Sequence, residues 1–180
     1  ILITHPALEP LTLAEARAWL RLDGAEEDSL VSALIVAARM AVERASGRLL
    51  IHQQWRILAD GWPPGGRVGL PLAPVSAVSA VRVIDGQGSA ETVPGTAYRL
   101  ELQRSPPTLV LTAPVADPGR SSNGIEIDLT CGYGPAAADV PEPLRHAIRL
   151  LVARWFENRG DAVSADAPLP SDVLLLISPF

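Results

Sequence analysis

The run over residues 125–160 limits the possible folds more than any other. It opens Ile125-Glu126-Ile127-Asp128-Leu129-Thr130-Cys131, with Ile, Ile, Leu and Cys on one side and Glu, Asp and Thr on the other. Period two of this kind is a half-buried strand. Gly132-Tyr133-Gly134-Pro135 stops it, and a small-residue linker, Ala136-Ala137-Ala138, leads to Asp139. Asp139 reads as a helix N-cap, with Pro141 and Pro143 in the first turn, where a missing N–H costs nothing. Leu144, Ile148, Leu151 and Trp155 then recur at helical spacing, and Gly160 suits the position past a helix end. The spacing predicts a helix over 141–159.

Before this run, residues 1–10 hold two prolines and no period, and read as an extended arm. Thr12 stands three residues before Glu15, the spacing of a capping box, with Leu11 and Ala16 placed for a hydrophobic staple. A first helix over 13–21 carries Leu13, Ala16 and Leu20 on one stripe with Trp19 beside it, and Asp23-Gly24 ends it. A second helix over 26–46 starts with Glu26, Glu27 and Asp28 at the positive end of its dipole and has Arg44 and Arg48 at the other. Leu30, Leu34, Ala38, Ala41 and Ala45 line one face, widened by Val31, Ile35 and Val42. A face that broad is buried on more than one side, inside a small bundle or against a neighbouring subunit. Gly47 closes the helix.

Over residues 51–131 the pattern changes to period-two segments between Gly and Pro punctuation. Strands are expected over 54–59, 75–84, 98–102, 108–112 and 124–131, with a hairpin turn at Asp85-Gly86-Gln87-Gly88. The order of elements defines an α+β chain: a small bundle of three main helices, with an antiparallel β section inserted between the second and third. One domain is expected over 1–165, followed by an extended C-terminal tail over 166–180. Pro168 and Pro170 forbid a continuous helix there. The tail ends in Val173-Leu174-Leu175-Leu176-Ile177 and then Phe180, an apolar run that either folds back or wants a partner.

The sequence carries few signatures of chemistry. The histidines His5, His52 and His146 share no motif spacing, and no metalloprotease, nucleophile-elbow or phosphate-loop pattern occurs. Glu126 and Asp128 share a strand face, the one pairing on which a small hydrolase could be built, but a solvated face is the simpler reading. Arg145 and Arg149 lie one helical turn apart and, with Arg154, could meet phosphate as a DNA-binding packaging factor. A net charge of −5 argues against gripping duplex DNA as a primary role. Trp62, in the Pro/Gly loop 62–66, is a better interface candidate than Trp155, which belongs to the helical stripe. The single cysteine, Cys131, excludes an internal disulfide and a cysteine-based metal cluster. The longest apolar runs are too short to span a bilayer, and no membrane partner or cofactor is expected.

The strand, the aromatic-glycine turn and VPEPLRHAIRLLVARWFENR (residues 140–159) together resemble the head–tail connector family of long-tailed bacteriophages, also called adaptors or head-completion proteins. Gene transfer agents carry relatives. The opening LTLAEARAWLRLDGAEEDSLVSALIVAARMAVERASGRLL (residues 11–50) is similar to the family's N-terminal helical pair. The resemblance implies a structural protein without catalytic residues, made in the bacterial cytoplasm and placed at the head–tail junction. It implies a homo-oligomeric ring, commonly of twelve copies, bound to the portal protein at the capsid vertex. The ring extends the DNA channel, lets DNA pass without sequence-specific binding, and docks a downstream stopper or tail-terminator protein. On this reading Val173, Leu174, Leu175, Leu176, Ile177 and Phe180 form the portal-binding tail. Trp62, Arg145 and Arg149 are candidates for a subunit or partner interface.

Overall fold

The computed structural model describes residues 1–158 and 169–180. It divides into two compact units, one from residues 1–6 and 52–133, the other from residues 7–51 and 134–180. Among the described residues there are four α-helices and two antiparallel sheets, an α+β chain.

The first unit is the β section. Its five-stranded sheet contains β1 (Leu2–Thr4) and β2 (Gln53–Ala59), and its three-stranded sheet contains β3 (Arg67–Gly69). The strands that follow are β4 (Val75–Ile84), β5 (Ala90–Thr92), β6 (Tyr98–Glu101), β7 (Thr108–Leu111) and β8 (Ile125–Cys131). The large sheet runs β1-β2-β8-β4-β5 and the small one β3-β7-β6. β8 is therefore central, and its alternation decides which face is apolar. Ile125, Ile127, Leu129 and Cys131 are all fully buried. Opposite them on β2 stand Ala59, Ile57, Trp55 and Gln53, in that order. Gln53 is buried as well, and its side-chain oxygen accepts from the Trp55 indole at 3.1 Å.

β4 departs from the expected period of two. Its valines stand at 75, 78, 81 and 83 in VSAVSAVRVI, mostly three apart. Two register shifts, between Val75 and Ala77 and between Val78 and Ala80, absorb the extra residues. Each bulge admits one unpaired residue, so the valines face Cys131, Leu129, Ile127 and Ile125 in turn. The hairpin from β4 to β5 forms where Asp85-Gly86-Gln87-Gly88 requires it. The Asp85 carboxylate accepts from the backbone N–H groups of Gln87 and Ser89, and Gly88 takes a positive φ of 87°.

The N-terminal arm is extended as expected, and Leu2 and Thr4 pair with β2 in β1. β1, β3 and β5 span three residues each, too short for a periodic signature.

The second unit holds the helices. α1 (Leu13–Leu20) begins at the Thr12–Glu15 capping box, with the Glu15 N–H on the Thr12 hydroxyl at 3.2 Å and the Thr12 N–H on the Glu15 carboxylate at 2.9 Å. It ends at Arg21 in the left-handed conformation, two residues before the expected Asp23-Gly24 stop. α2 (Asp28–Ser46) closes at Gly47, whose φ of +67° favours glycine. Its buried face is Val31, Ile35, Ala38, Arg39 and Val42. Ala38 and the widening residues Val31, Ile35 and Val42 are buried as expected, whereas Leu30, Leu34 and Ala41 are half-buried and Ala45 is exposed. The turn that places Val31 and Ile35 inward also buries Arg39. Its guanidinium is satisfied by Glu9 at 2.8 Å and Glu43 at 2.7 Å.

α3 (Glu142–Glu157) buries Leu144, Ala147, Ile148, Leu151 and Val152, and leaves Trp155 half-buried. Asp139 is not its N-cap. It lies in a 3-10 turn over Ala137–Asp139, where its carboxylate accepts from the Ala136 N–H at 2.8 Å, and Pro141 caps the helix instead. Gly134 lies against that carboxylate so closely that a Cβ would sit 2.2 Å from its oxygen. The expected stop at Gly160 and the proline at 168 lie outside the described residues.

The extended tail expected over 166–180 is corrected over its described part. Ser171–Ile177 is a helix, α4, capped by Pro170. Val173 and Ile177, one turn apart, are buried, and α4 packs on α3 and α2. The Phe180 carbonyl accepts from Arg48 at 2.7 Å. Both prolines precede the helix, so neither interrupts it. Hydrogen exchange on the full chain is expected to protect the amides of Leu174 and Ser178, which donate to Pro170 and Leu174. Ile177→Asp is expected to remove that protection. Fast exchange in the unaltered chain would contradict a docked helix.

Candidate functional site

The carboxylates that looked available for chemistry are held by arginines. On the polar face of β8, Asp128 receives a two-pronged bond from Arg56 of β2, at 2.7 and 3.0 Å, and a third from Arg82 of β4 at 2.7 Å. Glu126 lies 3.1 Å from Arg56 and 3.5 Å from Arg82. The solvated face expected here is instead a compact network of two acids and two arginines across three adjacent strands. The hydrogen bond from Arg56 is the largest influence on Asp128, and with Arg82 it outweighs burial and lowers the carboxyl pKa. The same bond raises the pKa of Arg56. A carboxylate held ionised and filled with donors is a poor general acid. Among the described residues no group of three His, Cys, Asp or Glu is arranged to hold a metal. Cys131 is buried, and burial pushes its thiol up to about 11, far from thiolate chemistry.

Arg145 and Arg149 are likewise engaged. Arg145 donates to the Pro10 carbonyl at 2.9 Å, to Glu142 at 3.0 Å and to Glu15 at 2.6 Å. Arg149 bonds Glu142 and stands 3.9 Å from Glu15. Their side chains are only 14% and 16% exposed, so this is not the solvated face expected of them. Burial would raise the Glu15 pKa, but the backbone and hydroxyl of Thr12 together with Arg145 bring it below its ordinary value. Arg149 does the same for Glu142. Two of the three arginines assigned to a phosphate grip therefore brace α1 against α3. Arg154 is exposed. His146 meets the Trp19 ring edge-on at 5.6 Å.

Trp62 is half-buried, and its indole N–H donates to the Ala116 carbonyl at 3.0 Å, pinning the loop after β2 to the loop after β7. In the C-terminal run, the side chains part company. Val173 and Ile177 face inward, Leu174 and Leu175 are 42% and 75% exposed, and Leu176 and Phe180 are half-buried. Of the residues picked out for partners, Leu174 and Leu175 are thus the ones α4 presents outward. In α2, Val36 and Met40 are also exposed, at 38% and 58%. They were not singled out in the sequence, because the helical face was assigned one position away.

No protein-family model and no curated protein matches this chain. Solved structures do. A chain in the neck of an empty gene transfer agent particle, computed with C6 symmetry, superimposes with a TM-score of 0.82 at 29% identity, over 99% of this chain and 94% of that one. A chain in the virion of a native gene transfer agent particle gives 0.81 at 30% identity, over 99% and 94%. A chain in the neck of a native particle, computed with C12 symmetry, gives 0.75 at 31% identity, over 99% and 93%. Two of these chains, at 30% and 31% identity over nearly the whole length, are structural parts of gene transfer agent particles. The chain belongs to the head–tail connector proteins of gene transfer agents and related phages. No helix among its described residues is long and apolar enough to cross a membrane.

Asp128→Asn is expected to cost about 2 kcal/mol, because it leaves Arg56 and Arg82 partly unsatisfied. The sign with pH follows from the lowered pKa. Stability from Asp128 is present above the unfolded carboxyl pKa of about 4 and is lost as pH falls through the lower folded value. Thermal melts from pH 7 downward are expected to show a shallower acid decline in Asp128→Asn than in the unaltered chain. Identical slopes would contradict the clamp.

Proposed function

We propose that this chain is a head–tail adaptor that works by assembly. Copies form a ring of twelve that binds the portal protein at the capsid vertex, extends the DNA channel and docks the stopper or tail-terminator protein that follows. The observation that carries this reading is the near full-length likeness to chains in particle necks of C6 and C12 symmetry. Rings of identical subunits close through heterologous contacts, so the two meeting faces differ. DNA passes without sequence-specific contacts, which suits a net charge of −5.

In this reading α4 is the portal-binding element. Val173 and Ile177 hold it to α3, and Leu174 and Leu175, with half-buried Leu176 and Phe180, are offered to the portal. An amphipathic helix that buries one side at home and shows leucines on the other is suited to a groove on a partner. Trp62 remains a candidate for contact with a neighbour through the exposed part of its ring.

The test is co-purification of the full chain with its portal protein. Leu174→Asp with Leu175→Asp is expected to lower portal recovery about tenfold or more, while the thermal midpoint stays within a few degrees, since both side chains are exposed. Unchanged recovery would remove α4 as the portal element. Deletion of residues 173–180 is a poorer test, because it also removes two buried side chains.

A further inference from the structure

The ion pairs among the described residues are unevenly balanced, and the imbalance has a location. Arg56 and Arg82 match Glu126 and Asp128, Arg145 and Arg149 match Glu15 and Glu142, and Arg39 faces two acids, Glu9 and Glu43. Glu101 is different. Arg67, Arg99 (2.8 Å) and Arg104 (2.9 Å) all converge on its single carboxylate. Three cations on one anion leave an excess of two positive charges. The side chains are 41%, 60% and 60% exposed. Glu101 lies on β6, an edge strand of the three-stranded sheet, and Leu102 beside it is 46% exposed.

Charges on an edge strand commonly prevent unwanted pairing. That need is met by any scattered charges. It does not call for three guanidiniums gathered at one point, where their mutual repulsion is only partly offset by Glu101. The Arg99 bond is the largest influence on the Glu101 pKa and, with the other two arginines, keeps that carboxylate ionised. Glu101 thus fixes the arginines in place without neutralising them. Each retains N–H donors for a second anion.

The same chain presents negative charge elsewhere. In the turn from α1 to α2, Asp23 and Glu26 stand three residues apart. Asp23 and Glu26 are exposed. Arg17 takes up Asp28 at 3.4 Å.

We infer that the arginine cluster around Glu101 receives the acidic α1–α2 turn of a second copy of this chain. The inference rests on the ring proposed above. A head-to-tail contact needs two unlike patches on one chain, and an excess of two positive charges can be met by two exposed carboxylates, Asp23 and Glu26. Charge pairing of this kind sets register and partner choice more than raw affinity. It would hold each copy in one orientation while apolar contacts supply the binding energy.

The test is charge reversal in cells that make the particle, read as the amount of this chain in purified particles. Arg99→Glu with Arg104→Glu is expected to lower incorporation about tenfold, as is Asp23→Arg with Glu26→Arg. All four together are expected to restore it to within about threefold of the unaltered chain. The milder Arg99→Gln with Arg104→Gln is expected to fall between. Thermal melts of each purified chain separate misfolding from lost contact. Single reversals that incorporate normally would overturn the inference and leave the ring untouched. So would four reversals that fare no better than two. Loss of low-salt duplex DNA binding upon Arg99→Glu with Arg104→Glu, with normal incorporation, would instead assign the cluster to DNA. Unaltered particles found to hold one copy of the chain would remove the ring reading itself.

Discussion

The fold of the β unit depends on one buried carboxylate. Asp128 sits at the middle of the central strand and is gripped from both sides, by Arg56 on β2 and Arg82 on β4. On the opposite face of the same strand, Ile125, Ile127 and Leu129 are closed off from water. Both faces thus fix the same three strands in the same register, one by hydrogen bonds and the other by apolar packing. A slip of one residue would turn Asp128 toward the apolar side and Ile127 toward the arginines. The bulges in β4 allow a strand with valines three apart to meet that register. Arginine suits this position because its planar fork bonds a carboxylate through two N–H groups at once. The chain has fifteen basic residues, and every one is arginine.

The ionic networks occupy the carboxylates that the sequence offered for chemistry. Glu126, Asp128, Glu15 and Glu142 each have arginine partners, and three of them have lowered pKa values. A carboxylate that acts as a general acid needs the reverse, a pKa brought toward neutrality and an open side. Ion pairs on a strand face tie β2, β8 and β4 together, and others join α1 to α3. Among the exposed groups a partner could reach are Leu174 and Leu175 on α4, Val36 and Met40 on α2, and the arginines around Glu101.

Much of this was legible in the sequence, where a local rule governed the outcome. The capping box at Thr12 and Glu15, the stop at Gly47, the alternation of β8 and the hairpin at Asp85 all formed as read, because each depends on residues within a few positions of one another. The errors came where distant residues decide. The buried face of α2 turned on Arg39 finding Glu9, thirty positions away. The role of Asp128 turned on Arg56, seventy-two positions away. Asp139 failed as a helix cap because Gly134 admits its carboxylate to a tighter turn. The tail looked extended because its prolines were weighed against a helix. They lie before Val173 and Ile177, which supply the anchoring pair. Family likeness, and not any single residue, carried the reading of function.

The proposed role is to join a DNA-filled head to a tail. Electron microscopy of particles from a strain that lacks the chain tests it. Heads, filled or leaking DNA, are expected separate from free tails, with joined particles restored when the chain is supplied again. Normally joined particles in its absence would contradict it.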